Sequence, residues 1–174
     1  MAEKRIVWGW LLVERAPRDP VSHFRDVWHD FDLVVARSNG RGDPRPFYPS
    51  GTIRSLVKEK KMAEGELIGK IEARVKPDEK EVLFGEFEPN NDIALRQLER
   101  EGLNEWVQHC VASHLRNHYP SFSVKHLGLP SIAKRKLWEQ MGVPLGQQHS
   151  LESFSRKSRA RWSKIRRLKR LMPK

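Results

Sequence analysis

The sequence predicts an α+β fold: a mixed or antiparallel sheet with a central β-hairpin, a long helix and a basic amphipathic C-terminal helix. Two patterns support this prediction, since apolar residues alternate along 67–75 with the period of a strand and recur at helical spacing near the C-terminus. Six Trp and seven Phe supply rings that each bury about 150–250 Å², so a folded core is expected. With 174 residues, the chain has the length of one domain.

The N-terminal third is predicted to hold two strands and a short helix. Arg5 to Glu14 is apolar and rich in β-branched and aromatic residues, which predicts a strand that ends at the segment APRDP. A short helix capped by Ser22 is predicted across SHFRDVWHDF, followed by a strand over 32–37. Residues 38–51 are rich in Gly and Pro and predict a loop.

The hairpin lies in the middle of the chain, after a short helix predicted over 52–61. GELIGKIEARV and EVLFGEFEP are two extended runs joined by KPDEK. Successive side chains of a strand point to opposite faces. One face of the first run therefore carries Leu67, Gly69, Ile71, Ala73 and Val75, and the other carries Ile68, Lys70, Glu72 and Arg74.

Two helices and a strand are predicted between the hairpin and the C-terminal segment. The long helix runs over 90–119, with Asn91 or Asp92 as its cap and Gly102 as a kink or break. SFSVKHL is predicted to be a strand, and SIAKRKLWEQMG a helix that begins at Ser131. The linker-like PLGQQHS then separates an α+β body, 1–145, from a C-terminal helix, 146–174.

The C-terminal helix is predicted from about 150 to 172, with Ser150 as N-cap and Pro173 as the stop. Its apolar stripe consists of Phe154, Trp162, Ile165, Leu168 and Met172. Two arrangements are open: the stripe docks on the body, or the segment is an arm that orders only on binding, because Arg161 and Lys169 lie at the edges of the stripe.

Charge is distributed very unevenly along the chain. The net charge is +11, and Ser155 to Lys174 contains ten basic residues and no acidic one. The preceding 154 residues carry 23 basic and 22 acidic side chains, so the body is close to neutral. A block of one sign concentrates electrostatic potential where a polyanion can neutralise it. This pattern predicts a non-enzymatic nucleic-acid-binding protein.

RNA is slightly preferred over DNA, because no helix-turn-helix, zinc finger or leucine zipper pattern is visible and Arg-rich segments that fold on RNA are common. The predicted phosphate-binding residues are Arg156, Lys157, Arg159, Lys164, Arg166, Arg167 and Arg170, with Trp162 as a base-stacking candidate and Lys134, Arg135 and Lys136 as an extension of the surface.

Other interpretations of the basic helix remain open. It is also typical of a packing helix with a solvated charged face, or of a helix that binds an anionic membrane surface or an acidic protein groove. A protein-interaction adaptor is the main alternative class, in which the tail is a localisation signal and RRLKR serves nuclear import. Its partner would meet exposed aromatic residues, namely Trp8, Trp10, Trp28, Phe47 and Tyr48.

The cysteine content and the apolar runs favour an intracellular protein, cytoplasmic or nuclear if the host has a nucleus. Cys110 is the single cysteine, which excludes an intramolecular disulfide and favours a reducing compartment. The longest apolar run, RIVWGWLLV, is far shorter than the roughly 20 residues that span a bilayer.

Signals for catalysis, cofactors and metals are weak. The sequence contains no phosphate loop, no G-x-G-x-x-G and no nucleophile elbow, so no cofactor is expected. Cys110, His114 and His118 share one side of the long helix, but the outer two lie about 12 Å apart along its axis. One zinc ion cannot collect all three, and no metal is expected unless ligands come from outside the helix.

Glu86 and Glu88 are two residues apart on a predicted strand and face the same side. Such a pair fits acid/base or metal chemistry. Cross-strand ion pairs with Lys70, Arg74 and Lys76 are the preferred interpretation.

From Gly65 to Gly142, the order of hairpin, long helix, strand and KLWEQMG helix is similar to the later half of the GNAT acyltransferases. That resemblance implies an acyltransferase as a minor alternative. The family binds the pyrophosphate of its acyl donor with a glycine-bearing R/Q-x-x-G-x-G/A turn, whereas the corresponding EPNNDIALRQ has no glycine. The basic helix also stands in place of the family's terminal strands.

Overall fold

The computed structural model of the chain describes residues 6–15, 26–39, 43–90, 92, 96 and 101–171. Over these residues it confirms the predicted α+β fold. Its strands are β1 (Val7–Glu14), β2 (Val27–Ser38), β3 (Phe47–Pro49), β4 (Leu67–Lys76), β5 (Glu81–Phe84), β6 (Glu88–Pro89), β7 (Ser123–His126) and β8 (His149–Ser150). Its helices are α1 (Gly51–Lys58), α2 (Leu103–Arg116), α3 (Ile132–Gln140) and α4 (Leu151–Leu171).

The strands form one mixed sheet in the order β3-β1-β2-β4-β5-β7-β8, and β6 pairs with β4. Neighbouring strands run antiparallel except β5 and β7, which are parallel. A parallel pair needs a long crossover, and here the segment that contains α2 provides it. Helix α1 lies in the connection between β2 and β4, and α3 lies in the connection between β7 and β8.

The predicted hairpin is present, and its core face is largely as expected. Ile71, Ala73 and Val75 are buried, and Val75 pairs with Val82 across the turn. Ile68 was expected on the opposite face, yet it is completely buried. Leu33 pairs with Gly69 while Val34 pairs with Leu67, so Ile68 has no partner in this ladder and lies in a β-bulge. A bulge redirects the side chain of its extra residue, which explains the difference.

Two local predictions in the N-terminal half are wrong. The helix expected over SHFRDVWHDF is strand β2 from Val27 onward, and 22–25 lie outside the described residues. Pairing on both sides decides this, since Phe31 pairs with Glu14 of β1 and with Ile71 of β4. The expected loop over 38–51 includes the short edge strand β3, which pairs with β1.

The long helix is interrupted at Gly102. This residue has φ 77° and ψ 33°, in the left-handed region that favours glycine, and α2 begins directly after it. Gly102 also permits a close helix contact, because a Cβ built on it would lie 3.0 Å from Cγ2 of Ile165 in α4. The cap expected at Asn91 or Asp92 lies in a segment of which only Asp92 and Arg96 are described.

Both predicted caps of the later helices are confirmed. The hydroxyl of Ser131 accepts a hydrogen bond from the Lys134 backbone at 3.2 Å, and that of Ser150 accepts one from the Ser153 backbone at 3.1 Å. Within the described ranges, none of the helices has the length and apolar character needed to cross a membrane.

Candidate nucleic-acid interface

The inner face of α4 is part of the protein core. Leu151 and Phe154 are completely buried, and the ring of Phe154 lies 5.0 Å from that of Phe84 and 5.1 Å from that of Trp138. Ser155 and Ser158 continue this face and are also buried. The apolar stripe therefore docks on the body through Phe154 and, in part, Trp162, whereas Leu168 is 53% exposed and Met172 lies outside the described residues.

Helix α4 packs antiparallel along α2. Ser155 meets Ser113 with a hydroxyl distance of 3.2 Å, and Trp162 stacks on His109 with ring centroids 6.3 Å apart. Further along α4, Ile165 reaches Gly102 at the start of α2. Small residues at these contacts let the two helices approach closely, which fixes the rotation of α4 about its own axis.

That rotation directs the basic residues outward. With 100° per residue, the buried positions of α4 lie on one arc, and Arg156 and Arg167 lie at the middle of the opposite arc. The exposed basic side chains are Arg156, Arg159, Lys164, Arg166 and Arg167. Five of the seven predicted phosphate-binding residues thus share one solvent-facing surface, which we call the outer face of α4.

The cations of the outer face have one acidic side chain on their own helix, Glu152, which lies one turn before Arg156. Among the described residues, no carboxylate forms an ion pair with Arg156, Arg159, Lys164, Arg166 or Arg167. Arg166 lies over the ring of Trp162 at 5.5 Å. Burial first, and then the positive charge of Arg159, lower the pKa of His109 beneath this face. The charge block predicted from the sequence is therefore not neutralised by the described part of the body.

Lys157 and Arg161 form the flank of the outer face that meets α3. Lys157 Nζ donates to the Gly142 carbonyl at 3.0 Å, and an Arg161 Nη2 hydrogen donates to Gln140 Oε1 at 3.2 Å. Lys136 precedes Gln140 by one helical turn and is exposed, as is Arg135. These contacts place the exposed cations of α3 beside the flank of α4.

Lys134, predicted as part of the same surface, points inward instead. It is only 5% exposed, and its ammonium donates hydrogen bonds to the carbonyls of Phe84, at 3.1 Å, and Gly85. Burial lowers its pKa to about 7. This lysine occupies the end of β5 and is not presented to an external phosphate.

Trp162 occupies a packing position. Its ring is half-buried, stacks on His109, and meets Tyr48 edge-on with ring centroids 5.8 Å apart. Its Nε1 is buried and has no hydrogen-bond partner within the described residues. The faces of the ring are occupied by protein groups, so little of it is available to stack on a base. The side chain of Arg170 lies outside the described residues.

The helix cluster of Cys110, His114 and His118 is not assembled into a site. Burial raises the pKa of the Cys110 thiol to about 12, so the thiolate that binds metals is strongly disfavoured. The imidazole of His114 turns to Glu14 of β1, with Nε2 and Oε2 2.6 Å apart. Glu14 also binds His29, with Oε1 and Nδ1 2.6 Å apart.

This Glu14–His29–His114 cluster was missed by the sequence analysis. Its members come from β1, β2 and α2, and 15 and 85 residues separate His29 from Glu14 and from His114 in the sequence. No spacing rule for a single element connects them. Only the pairing of β1 with β2 and the packing of α2 bring them together.

Among the described residues, no ion pair joins Glu86 or Glu88 to the expected lysines and arginine, although Lys70 and Glu88 lie opposite each other in the sheet. Glu86 accepts a hydrogen bond from the Ser131 backbone at 2.6 Å, which caps α3. Arg74 pairs with Asp26, and Lys76 lies 3.6 Å from Glu79.

A cleft of about 540 Å³ opens where β5 ends. It is lined by Arg15, Asp30, Lys70, Ile71, Glu72, Gly85, Glu86, Phe87, Glu88, Pro89 and Leu127.

The aromatic residues that an adaptor would present are mostly turned inward. Trp10 is completely buried and stacks on Tyr48 at 4.8 Å. Trp8 and Tyr48 pack against the core, and Trp28 lies beneath the guanidinium of Arg74 at 5.1 Å. These rings therefore contribute chiefly to packing within the protein.

No protein-family model, curated protein or solved structure matches this chain. A function for it is inferred from its own side chains and their geometry.

Proposed function

We propose that the outer face of α4 binds the phosphate backbone of a nucleic acid, with RNA slightly preferred over DNA. The observation that carries this proposal is the set of five exposed cations without a carboxylate partner among the described residues. Arginine and lysine neutralise phosphates and release condensed counterions, which supplies most of non-specific nucleic-acid affinity. Arginine adds a planar fork that fits phosphate oxygens.

The length of the outer face suits a run of phosphates. Arg156 and Arg167 are eleven residues apart in α4, which corresponds to about 16 Å along the helix axis. One strand of a duplex carries a phosphate every 3.4 Å or so of axis, and about five phosphates therefore fall within this length. The flank formed by Lys157, Arg161 and Lys136 would widen the contact toward α3.

The proposal concerns backbone binding without sequence readout. Trp162 packs inside the protein, and the outer face presents long flexible cations rather than a fixed set of hydrogen-bonding groups. Phosphate contacts position a protein on nucleic acid, whereas base contacts specify the sequence. We therefore expect similar affinities for unrelated sequences of equal length and strandedness.

Deleting α4 would be a poor test, because Leu151 and Phe154 belong to the core and the truncated protein would be destabilised. The sharper test is the triple variant Arg156→Gln, Arg159→Gln, Arg167→Gln. Its control is Lys58→Gln, Lys60→Gln, Lys80→Gln, which removes the same charge at exposed sites away from α4.

Fluorescence polarisation with single- and double-stranded RNA and DNA probes over a salt series is the measurement. Five phosphate contacts predict a slope of log K against log salt of about −4.5 for duplex DNA and about −3.5 for single strands. The outer-face variant should bind at least about tenfold more weakly at low salt and lose roughly three fifths of the slope. Equal affinity of this variant and the wild type, or an equal loss in the control, would refute the proposal.

An acyltransferase is the second candidate, and the cleft at the end of β5 is the observation that favours it. β5 runs parallel to β7, and the cleft of about 540 Å³ opens beside Gly85 at the end of β5. This candidate predicts that an acyl-coenzyme A raises the melting temperature of the protein. The absence of any shift at millimolar concentration would argue against it, while leaving the nucleic-acid measurements unaffected.

A further inference from the structure

We infer that Glu14, His29 and His114 form a binding site for a divalent transition metal ion, with Zn²⁺ as the best match. The three side chains offer one carboxylate oxygen and two imidazole nitrogens, and these atoms lie within 4.8 Å of one another. Two histidines and a glutamate are a ligand set used in zinc sites that keep a fourth position open. The inference is independent of nucleic-acid binding.

The sheet fixes two of the ligands in place. Glu14 ends β1 and pairs with Phe31 of β2, and His29 lies two residues before Phe31 on the same face. The third ligand comes from α2, which covers that face. Phe31 packs beside both imidazoles, with ring centroids 6.5 Å from His29 and 5.8 Å from His114, and the two imidazoles lie edge to face with centroids 6.5 Å apart.

The distances between the ligand atoms must adjust before a metal ion can bind. Glu14 Oε1 lies 2.6 Å from His29 Nδ1, and Oε2 lies 2.6 Å from His114 Nε2. Tetrahedral ligands with bonds of about 2.0 Å lie about 3.3 Å apart. The carboxylate must therefore withdraw from each imidazole by less than about 1 Å, and ligand atoms that now lie up to 4.8 Å apart must approach to about 3.3 Å.

One side of the cluster is shielded from solvent, and the other side is exposed. The side chain of His29 is 11% exposed, that of Glu14 is 25% exposed, and that of His114 is 45% exposed. Solvent therefore reaches the cluster from the α2 side, where a water molecule can complete the coordination. His29 Nε2 has no hydrogen-bond partner among the described residues, so the acceptor that usually supports a metal-bound histidine is missing. We expect moderate affinity for this reason.

The ligand types select among metal ions. Imidazole nitrogens favour Zn²⁺, Co²⁺ and Cu²⁺, whereas Mg²⁺ and Ca²⁺ prefer oxygen ligands. In the metal-free protein, each imidazole donates a hydrogen bond to the carboxylate from the nitrogen that would bind the ion. Metal binding at these nitrogens therefore requires each imidazole to carry its proton on the other ring nitrogen.

The test is calorimetric titration of chelator-treated, full-length protein with Zn²⁺, alongside the absorption spectrum of the Co²⁺ complex. We expect one ion per chain, no binding of Mg²⁺, and a Co²⁺ spectrum typical of four-coordination. Glu14→Gln, which keeps the shape of the side chain, and His114→Ala should each weaken Zn²⁺ binding by about 10- to 100-fold.

His118→Ala is the matched control, because His118 follows His114 by four residues, just beyond the end of α2, with ring centroids 6.2 Å apart. It should leave the Zn²⁺ affinity unchanged. Circular dichroism checks that each variant is folded. Failure of the wild type to bind Zn²⁺, unchanged affinity in Glu14→Gln, or a loss in His118→Ala equal to that in His114→Ala would overturn the assignment.

Discussion

The two faces of α4 differ in their surroundings. On the inner face, Phe154 is completely buried between Phe84 and Trp138, and its neighbours are serines small enough to let α2 approach. On the outer face, Arg156 and Arg167 lie opposite the buried arc and have no carboxylate partner in the described ranges. The inner face determines stability, and we expect the outer face to determine binding.

Lys134 differs from the cations of the outer face, because its ammonium is buried and binds groups inside the protein. Its ammonium donates to the carbonyls of Phe84 and Gly85 at the end of β5, whereas the cations of the outer face have no such role. The basic residues of this protein therefore fall into two groups. Substitutions in the two groups should affect different measurements, and the following predictions run from the largest expected change in stability to the smallest.

Phe154→Ala should have the largest effect on stability. Removing a fully buried ring from the contact with Phe84 and Trp138 should lower the free energy of unfolding by about 3–5 kcal/mol. Urea denaturation measures this change. Leu168→Ala is the control in the same helix, because Leu168 is 53% exposed and should change stability by less than about 0.5 kcal/mol. Equal effects of the two substitutions would contradict the docking of α4.

Lys134 should give the protein a stability that rises with pH. Burial lowers its pKa in the folded state to about 7 from 10.5. Between about pH 7 and 9 the unfolded state therefore binds more protons than the folded state, and the free energy of unfolding should increase by up to about 1 kcal/mol per pH unit. From about pH 9 the rise should flatten, and above about pH 10.5, where Lys134 has lost its proton in both states, stability should fall, because burial raises the pKa of Cys110 from 9.0 to about 12 and the folded state then retains the additional proton.

Urea denaturation at a series of pH values tests this prediction. Lys134→Met should remove most of the rise between pH 7 and 9, since it removes the titrating group and keeps a side chain of similar length. Lys136→Met, on the exposed side of the same helix, should retain it. A slope that persists unchanged in Lys134→Met would show that other groups cause the pH dependence.

The triple variant of Arg156, Arg159 and Arg167 should have the smallest effect on stability and the largest on binding. These side chains are exposed, so their replacement by Gln should change the free energy of unfolding by less than about 0.5 kcal/mol. Relief of repulsion between like charges acts in the stabilising direction. Urea denaturation of the variant beside the wild type measures this, and a loss of several kcal/mol would mean that the outer face supports the fold.

Much of the fold could be predicted from local sequence patterns. The alternation of apolar residues predicted the hairpin, and the capping residues Ser131 and Ser150 predicted where α3 and α4 begin. The helix expected around Val27 failed because its aromatic and apolar residues at helical spacing are also good strand formers. These residues form a strand because they pair with β1 and β4, and both pairings join segments that are distant in the sequence. The side chain of Ile68 is buried because Ile68 lies in a β-bulge, and no residue pattern predicts that bulge.

The candidate sites differ in how far the sequence could specify them. The outer face of α4 is a property of one continuous helix, so charge and periodicity were enough to locate its residues. Lys134 was misplaced because its inward direction depends on the carbonyls at the end of β5. The Glu14–His29–His114 cluster needs three elements and one sheet register, and residue spacing alone could not reveal it.

The docking of α4 on α2 has a thermodynamic consequence. Because Leu151 and Phe154 already hold the backbone of α4, a nucleic acid that meets Arg156 and Arg167 does not have to order a chain segment. Only arginine and lysine rotamers are restrained on association, and little apolar area is removed from water. The heat capacity change of complex formation should therefore be small, in contrast to that of a basic arm that folds as it binds.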